Sequence, residues 1–376
     1  MSERVRVAVL GSAAVPHTGR WTKALLARGL EARVWSLEPA LEGDPSRSRV
    51  ELLPAAPVPG VLRYPLAASA LRRALEGFDP HVIDAHFVPN YGVLGVLSGR
   101  RPLVVNAWGS DLLCARDPLR RARLAWVLGR ADHVRVDAHN LARVARGLGV
   151  SEEKLEVLPW GAETDCFPFS ASREARLQAR RSWPEAWREA AGDGPVAVST
   201  RMHHPVYAID TLIDAWPAVA QALPEARLFV AGDGPVRPAL EARARTRGVA
   251  AVFLGRQTQP DLARLLTGAE AYVSTSLSDS TSLSLLEAMS AGAYPVVSAI
   301  EGNREWVSAD TGFLFPPRDV GALSRGLTRV LASPSRFDEA RAANRAVIEA
   351  RGDWSRAMDC VAERTTALAL ASRPRS

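Results

Sequence analysis

The sequence predicts an α/β protein made of two parallel-sheet units, and three observations carry that expectation. Short β-branched runs alternate with amphipathic stretches through the first part of the chain; the alternation stops between Phe167 and Gly194; it restarts after Pro195. Strands that alternate with helices of this length form a parallel sheet covered on both faces. With 376 residues, 47% of them hydrophobic and 23% charged, the chain can bury two cores.

In the first unit, Val5–Leu10, Ala32–Ser36, His81–Ala85, Pro102–Ala107, His133–Val136 and Leu155–Leu158 read as strands. Helices are expected over Thr18–Arg28 and Ala67–Leu75. The stretch 167–194 turns polar and Arg/Glu/Ala-rich, with Pro168, Pro184 and Gly192-Asp193-Gly194 as breakers, and reads as a linker without strands. In the second unit, strands are expected at Val196–Thr200, Ala226–Ala231, Ala251–Leu254, Ala271–Ser274 and Tyr294–Val297. Helices through Thr211–Leu223, Ala239–Arg247, Asp261–Leu266, Leu285–Ala291 and Val320–Ala332 separate and follow them. The last segment, Arg336 to Ala371, reads as helical and is expected to pack back across the linker. Two such units place a cleft between them, with chemistry expected outside the carboxyl ends of the strands.

Composition removes several function classes. The longest apolar runs, Tyr91–Leu97 and Ala367–Ala371, fall far short of the roughly 20 residues a membrane-spanning helix needs. The strand-like run begins at Val5 and leaves no room for a leader, so a cytosolic protein is expected. Cys114, Cys166 and Cys360 are far apart and odd in number, which suits neither a disulfide framework nor a zinc site. The net charge of +6 rests almost wholly on arginine, since lysine occurs only at Lys23 and Lys154. The arginines are scattered among acidic neighbours, so no nucleic-acid face is expected. One basic stretch, Arg116, Arg120, Arg121, Arg123 and Arg130, is either a solvated helix face or a surface for a phosphate-bearing acceptor or lipid headgroups, a peripheral membrane contact.

Two stretches point to ligand chemistry. Gly11 follows a buried strand and precedes a helix, where backbone can approach a ligand and the helix N-terminus favours negative charge. An ordinary βα turn explains Gly11 equally well, and the Gly11/Gly19 spacing is not the dinucleotide fingerprint. His17 is either a polar contact for an acceptor or part of the helix entry. The second stretch runs from Ser274 to Ser298. Eight hydroxyl-bearing residues lie between Ser274 and Ser284, and the segment then enters a helix. Such a loop presents N–H groups and hydroxyls to a phosphate, aided by the helix dipole. Seven residues separate Asp279 from Glu287.

This stretch resembles the E-x7-E signature of retaining glycosyltransferases of family 4 (group 1) with the GT-B fold, with Asp279 in place of the first Glu. The likeness continues through Leu286-Glu-Ala-Met-Ser-Ala-Gly-Ala-Tyr-Pro-Val-Val-Ser298 and Glu301-Gly-Asn-Arg-Glu-Trp306. It extends to Val230-Ala-Gly-Asp-Gly-Pro235, Val252-Phe-Leu-Gly255, Leu158-Pro-Trp-Gly161 and Asp84-Ala-His-Phe87, in the expected order. The resemblance implies two Rossmann-like domains facing each other across a cleft, with a C-terminal helix crossing back. It assigns 1–170 to an acceptor domain, 171–194 to a linker, 195–345 to a nucleotide-sugar donor domain and 346–376 to the helical segment.

Carried over residue by residue, the resemblance implies that Glu287 bonds the ribose and Asp279 reaches hydroxyls of the donor sugar. N–H groups near Ser282, Leu283 and Ser284 would hold the diphosphate, and Arg201 would balance its charge, a role suited to a bidentate guanidinium. Gly232 would border the nucleotide and Phe253 or Leu254 would pack near the base; a turn and a core strand account for these equally well. Two positions depart from the family. No lysine follows Arg201 at the usual interval, leaving His203, His204 or another arginine to contribute. Trp108 stands where many relatives carry a histidine, so His86 or Asp111 takes over the polar role at the acceptor or serves as a capped turn residue.

The implied activity is metal-independent transfer of a hexose from a nucleoside diphosphate sugar, with no other cofactor, to a glycan, lipid-linked or small-molecule acceptor. The alternatives are a catalytically silent subunit of the same fold that binds a sugar nucleotide or supports a partner enzyme, and an epimerase or phosphorylase. The sequence identifies neither the donor sugar nor the oligomeric state.

Overall fold

The computed structural model describes residues 4–43, 46–58, 60–115 and 117–372. It divides into two compact units, Met1–Pro159 with Ser355–Ser376, and Trp160–Trp354.

The first unit holds a parallel sheet of β1 (Arg6–Leu10), β2 (Glu31–Ser36), β3 (Val50–Leu52), β4 (Val82–His86), β5 (Leu103–Asn106), β6 (His133–Val136) and β7 (Leu155–Val157). Their order across the sheet is β3-β2-β1-β4-β5-β6-β7. β4, β5 and β6 are buried along their whole length, as strands with helices on both faces must be. Leu10, Trp35, Leu71, Leu94, Val105 and Leu128 lie in its main core. The order reverses between β1 and β4, which pair directly. Such a reversal opens a crevice at the carboxyl ends of the two strands.

The second unit repeats the design with β8 (Val196–Ser199), β9 (Arg227–Ala231), β10 (Ala251–Gly255), β11 (Ala271–Ser274), β12 (Tyr294–Ser298) and β13 (Phe313–Phe315), ordered β10-β9-β8-β11-β12-β13. All its pairings are parallel, and the reversal falls between β8 and β11. One core, with Leu212, Trp216 and Leu327, covers one face; another, with Phe229, Leu285 and Met289, covers the other.

Three expectations need correction. β3 and β13 were not expected; at three residues each, they are too short to show periodicity. The stretch 171–194 is no linker. It forms helices Arg173–Arg180 and Glu185–Ala191, which belong to the second unit. The buried residues of the first are arginines, with Arg180 paired to Glu270 and Arg176 to Asp338 at 3.2 Å; between the helices Trp183 Nε1 donates to the Arg264 carbonyl at 2.7 Å, and the second helix buries Ala191. The boundary therefore falls after Pro159 rather than at 170, and the first unit regains the chain at Ser355 rather than 346. Of the final segment, Asp338–Arg351 is a helix of the second unit, while the helix Trp354–Ala371 lies in the first from Ser355 onward.

Candidate functional site

In the second unit, the reversal between β8 and β11 brings the two sequence-predicted elements together. Arg201 leaves the end of β8, and the serine-rich loop leaves β11. Arg201 is 8% exposed. Its Nη1 donates to Ser282 Oγ at 2.5 Å and Ser284 Oγ at 2.8 Å, while Nη2 donates to Asp279 Oδ2 at 2.5 Å. The guanidinium carbon sits 4.0 Å from the Tyr207 ring centroid, and Tyr272 Oη lies 2.8 Å from Ser284 Oγ. Burial opposes the charge on Arg201, but Asp279, Tyr272 and Tyr207 together outweigh it and hold the guanidinium pKa above its ordinary value.

The loop is shaped from beneath. Ser298 Oγ donates to the Ser276 carbonyl at 2.5 Å, Thr275 Oγ1 to the Tyr207 carbonyl at 2.8 Å, and Asn303 Nδ2 to the Ser298 carbonyl at 2.8 Å. The helix Leu283–Ala291 starts at Ser282, whose side chain makes no capping bond to its own helix and instead accepts from Arg201. The first N–H groups of this nine-residue helix therefore have no side-chain cap. Leu283 stands at its first turn, and Glu287, 8% exposed, lies one turn in.

Beside Arg201, the turn Gly232-Asp233-Gly234 packs against backbone. A Cβ on Gly232 would lie 2.4 Å from the Arg201 carbonyl, and one on Gly234 2.3 Å from the His203 carbonyl; both glycines have left-handed φ. A cavity of about 410 Å³ opens here, lined by Thr200, Met202, Gly232, Asp233, Arg256 and Gln257 among others. Phe253 and Leu254, expected near a base, do not line it. They are successive residues of β10 and pack against the two different cores, so the residues just beyond the strand end take the lining role. Sequence reasoning missed Thr200, Met202, Arg256 and Gln257; the signal was their place immediately after β8 and β10.

His203, one candidate for the role of the missing lysine, is fully buried, its ring meets Phe253 edge-on at 6.2 Å, and burial, then Arg237, lowers its pKa. His204 is exposed.

In the first unit, Gly11, His17, His86 and Trp108 come together beyond the ends of β1, β4 and β5. The His17 and Trp108 rings meet at 5.5 Å and the His86 and Trp108 rings at 5.7 Å, both edge to face. A Cβ on Gly11 would lie 3.6 Å from that of His86. Trp108 Nε1 donates to His86 Nδ1 at 3.2 Å, so the ring proton sits on Nε2, which faces Asp84 Oδ2 at 3.5 Å. Asp84 also accepts from Trp21 Nε1 at 2.9 Å and Asn106 Nδ2 at 2.6 Å, which fixes this wall. Burial, with Arg20 and His86 beside it, lowers the His17 pKa to about 4. Asp111 is different: fully buried, it accepts from the backbone N–H groups of Val88, Trp108 and Leu112, and burial pushes its pKa up to about 6. It holds the turn that presents Trp108, the capping alternative among its two readings.

Among the basic residues, Arg123 Nη2 donates to the Pro89 carbonyl, and Arg130 stacks 4.7 Å from the Trp126 ring. Arg116 lies outside the described residues. Among the described residues, no helix is long and apolar enough to cross a membrane, and no group of three or more His, Cys, Asp or Glu could hold a metal ion.

Two Rossmann-like units, each reversing its strand order at the point where the candidate residues gather, define a GT-B protein. Residues 195–333 match the family model of glycosyl transferases group 1, and residues 12–161 match the glycosyl transferase 4-like domain, so that most of the chain is covered. The chain belongs to the group 1 glycosyltransferases. It is similar to a GDP-mannose-dependent alpha-(1-6)-phosphatidylinositol monomannoside mannosyltransferase of Mycolicibacterium smegmatis, 27% identical over 73% of this chain and 74% of that protein. A monoacylated-substrate counterpart from Corynebacterium glutamicum is 31% identical over 44% of each chain. Among solved structures, sucrose-phosphate synthase from Thermosynechococcus elongatus aligns over 98% of this chain and 100% of that one, with a TM-score of 0.83 at 20% identity. Anabaena HepE in complex with UDP-glucose aligns over 97% and 100%, with a TM-score of 0.80 at 18% identity. At such identities these two share the fold alone.

Proposed function

We propose that this glycosyltransferase is retaining and metal-independent, and that it moves a hexose from a nucleoside diphosphate sugar to an acceptor hydroxyl. The observation that carries the reading is the buried Arg201 guanidinium, held by Ser282 and Ser284 at the start of the helix Leu283–Ala291. A fixed cation and a helix N-terminus converge where an anionic diphosphate would lie. Glu287 takes the ribose hydroxyls, Gly232 borders the nucleotide, and the cavity beside it takes the base. Asp279 leaves Arg201 for hydroxyls of the sugar as the diphosphate replaces it on the guanidinium.

In the transfer, the bond from the anomeric carbon to the phosphate oxygen breaks, and the acceptor oxygen bonds to the same face. The departing phosphate oxygen takes the acceptor proton. Charge develops on that oxygen, and each fixed donor aimed at it supplies about 3 kcal/mol. This route needs no basic side chain at Trp108. On the acceptor side, His17, whose pKa burial lowers to about 4, stands beside Trp108 and is the polar group offered to the acceptor. The named mannosyltransferase relatives make GDP-mannose the first donor to try and a lipid-linked hydroxyl the first acceptor.

The test follows product configuration by NMR, with and without a metal chelator. Product with the donor's own anomeric configuration, formed equally with chelator present, is expected. An inverted product contradicts retention, and activity lost to chelator and restored by a divalent ion contradicts metal independence. The Asp279–Arg201 pair also favours a second reading, a silent subunit whose cation is already neutralised. Donor binding without turnover in the same assay supports it.

A further inference from the structure

The face of the Arg201 guanidinium is covered by an aromatic ring, and we infer that Tyr207 is a positioning residue, keeping Arg201 in one plane while its anionic partner changes. This role rests on the donor reading, in which the diphosphate replaces Asp279 on Arg201. The guanidinium carbon lies 4.0 Å from the Tyr207 ring centroid. A guanidinium stacked on a ring face is attracted by the ring's negative surface, and every N–H stays in the guanidinium plane for other partners. Nη1 is taken by Ser282 and Ser284, Nη2 by Asp279, and the buried Nε–H donates to no described group. Nε and Nη2 form one edge of the fork, so the departure of Asp279 leaves two parallel N–H groups for a phosphate.

That exchange is where Arg201 needs a support outside its own plane. With Asp279 gone, Ser282 and Ser284 hold one corner of the guanidinium, Nη1, and the plane can tilt about that corner. A ring against its face opposes the tilt before and after the exchange, because the stack uses none of the N–H groups that change partner. The ring does this, not the hydroxyl: Tyr207 is half-buried, and its hydroxyl hydrogen-bonds no described residue. The backbone aims the ring. Tyr207 ends the short turn Pro205–Tyr207, and Ala208 behind it has φ 44°, a left-handed conformation that a non-glycine residue keeps only where its surroundings enforce it. The enforcing bonds come from the serine-rich loop: Leu277 N donates to the Val206 carbonyl and Thr275 Oγ1 to the Tyr207 carbonyl, both at 2.8 Å. The turn that carries the ring is thereby tied to the loop that carries Ser282 and Ser284, so ring and hydroxyls meet Arg201 in a fixed relation.

The ring also touches the margin of one core, so the experiment changes its charge distribution rather than its shape. Inorganic pyrophosphate, GDP and UDP are titrated calorimetrically into full-length wild type, into Tyr207→Phe, and into Tyr207→Phe with a pentafluorinated ring, whose face carries the opposite charge. Tyr207→Phe is expected to bind within about twofold of wild type, and the fluorinated protein about tenfold more weakly. With Arg201→Ala added, fluorination should change nothing, since the ring acts through the guanidinium. Equal affinity for the plain and fluorinated rings, a fluorination loss that persists without Arg201, or a loss already complete in Tyr207→Phe would overturn the inference. Pyrophosphate bound with the expected ring dependence, while neither nucleotide binds, sinks the donor reading alone. A nucleotide bound without that dependence sinks this role alone, and wild type that binds none of the three sinks both.

Discussion

His17 shows how burial sets chemistry at a single residue. Its ordinary pKa of 6.5 falls to about 4 because burial and Arg20 disfavour the charged ring. The unfolded chain therefore binds more protons than the folded one between those values, and stability is lost as pH falls from about 6.5 towards about 4. Asp111, raised to about 6 by burial, acts in the opposite sense over nearly the same window. Comparing variant with wild type isolates His17: in urea unfolding at pH 7 and pH 4.5, His17→Gln should lose less stability on acidification than wild type. An unchanged difference would mean that His17 is solvated. Arg201, Ser282, Ser284 and Glu287 were named through the family resemblance, and the structure brings Arg201 onto Ser282 and Ser284 at the start of the helix that carries Glu287. The work of Asp111 was not legible in the sequence, because its three partners are backbone N–H groups that no side-chain pattern records.

At the scale of elements, the serine-rich loop is held by what packs under it. Gly302, in the short helix Glu301–Arg304, leaves no room for a side chain: a Cβ there would lie 2.1 Å from the Ser280 carbonyl and 2.8 Å from that of Asp279. Gly302→Ala must push the loop away from Arg201. A displacement of about 1 Å at a reacting centre costs about a hundredfold, so kcat/KM for the donor should fall by that order. Unchanged kinetics would show that the loop position is not critical. Most strands and helices were legible, since their apolar runs and periods are local. The helix at 185–191 was not, because it is short and polar with Ala191 as its buried residue. Nor was the helix at 173–180, because its inward side chains are arginines whose partners, Glu270 and Asp338, lie far along the chain. Without those partners in view, the same residues look like a solvated connection.

For the whole molecule, two features matter. The chain passes between the units twice, at Pro159–Trp160 and Trp354–Ser355. Beside these passages, Ala162 N donates to the Gly352 carbonyl at 2.7 Å and Trp354 N to the Ala162 carbonyl at 2.9 Å, which ties the two crossing segments together. The other feature is Glu270, 1% exposed, which pairs with Arg180 and accepts from Val196 N at 2.6 Å. Glu270→Ala leaves a buried arginine without its anion and should lower unfolding stability by about 3–5 kcal/mol. A loss near zero in chemical denaturation would show that the arginines find other partners. The most direct measurement of the central claim is calorimetric titration of GDP and UDP into full-length wild type and Arg201→Ala. One-site binding of at least one nucleotide by wild type, weakened about tenfold or more in a variant that melts normally, is the predicted result. Equal affinity in both proteins, or no binding by wild type, would contradict the account.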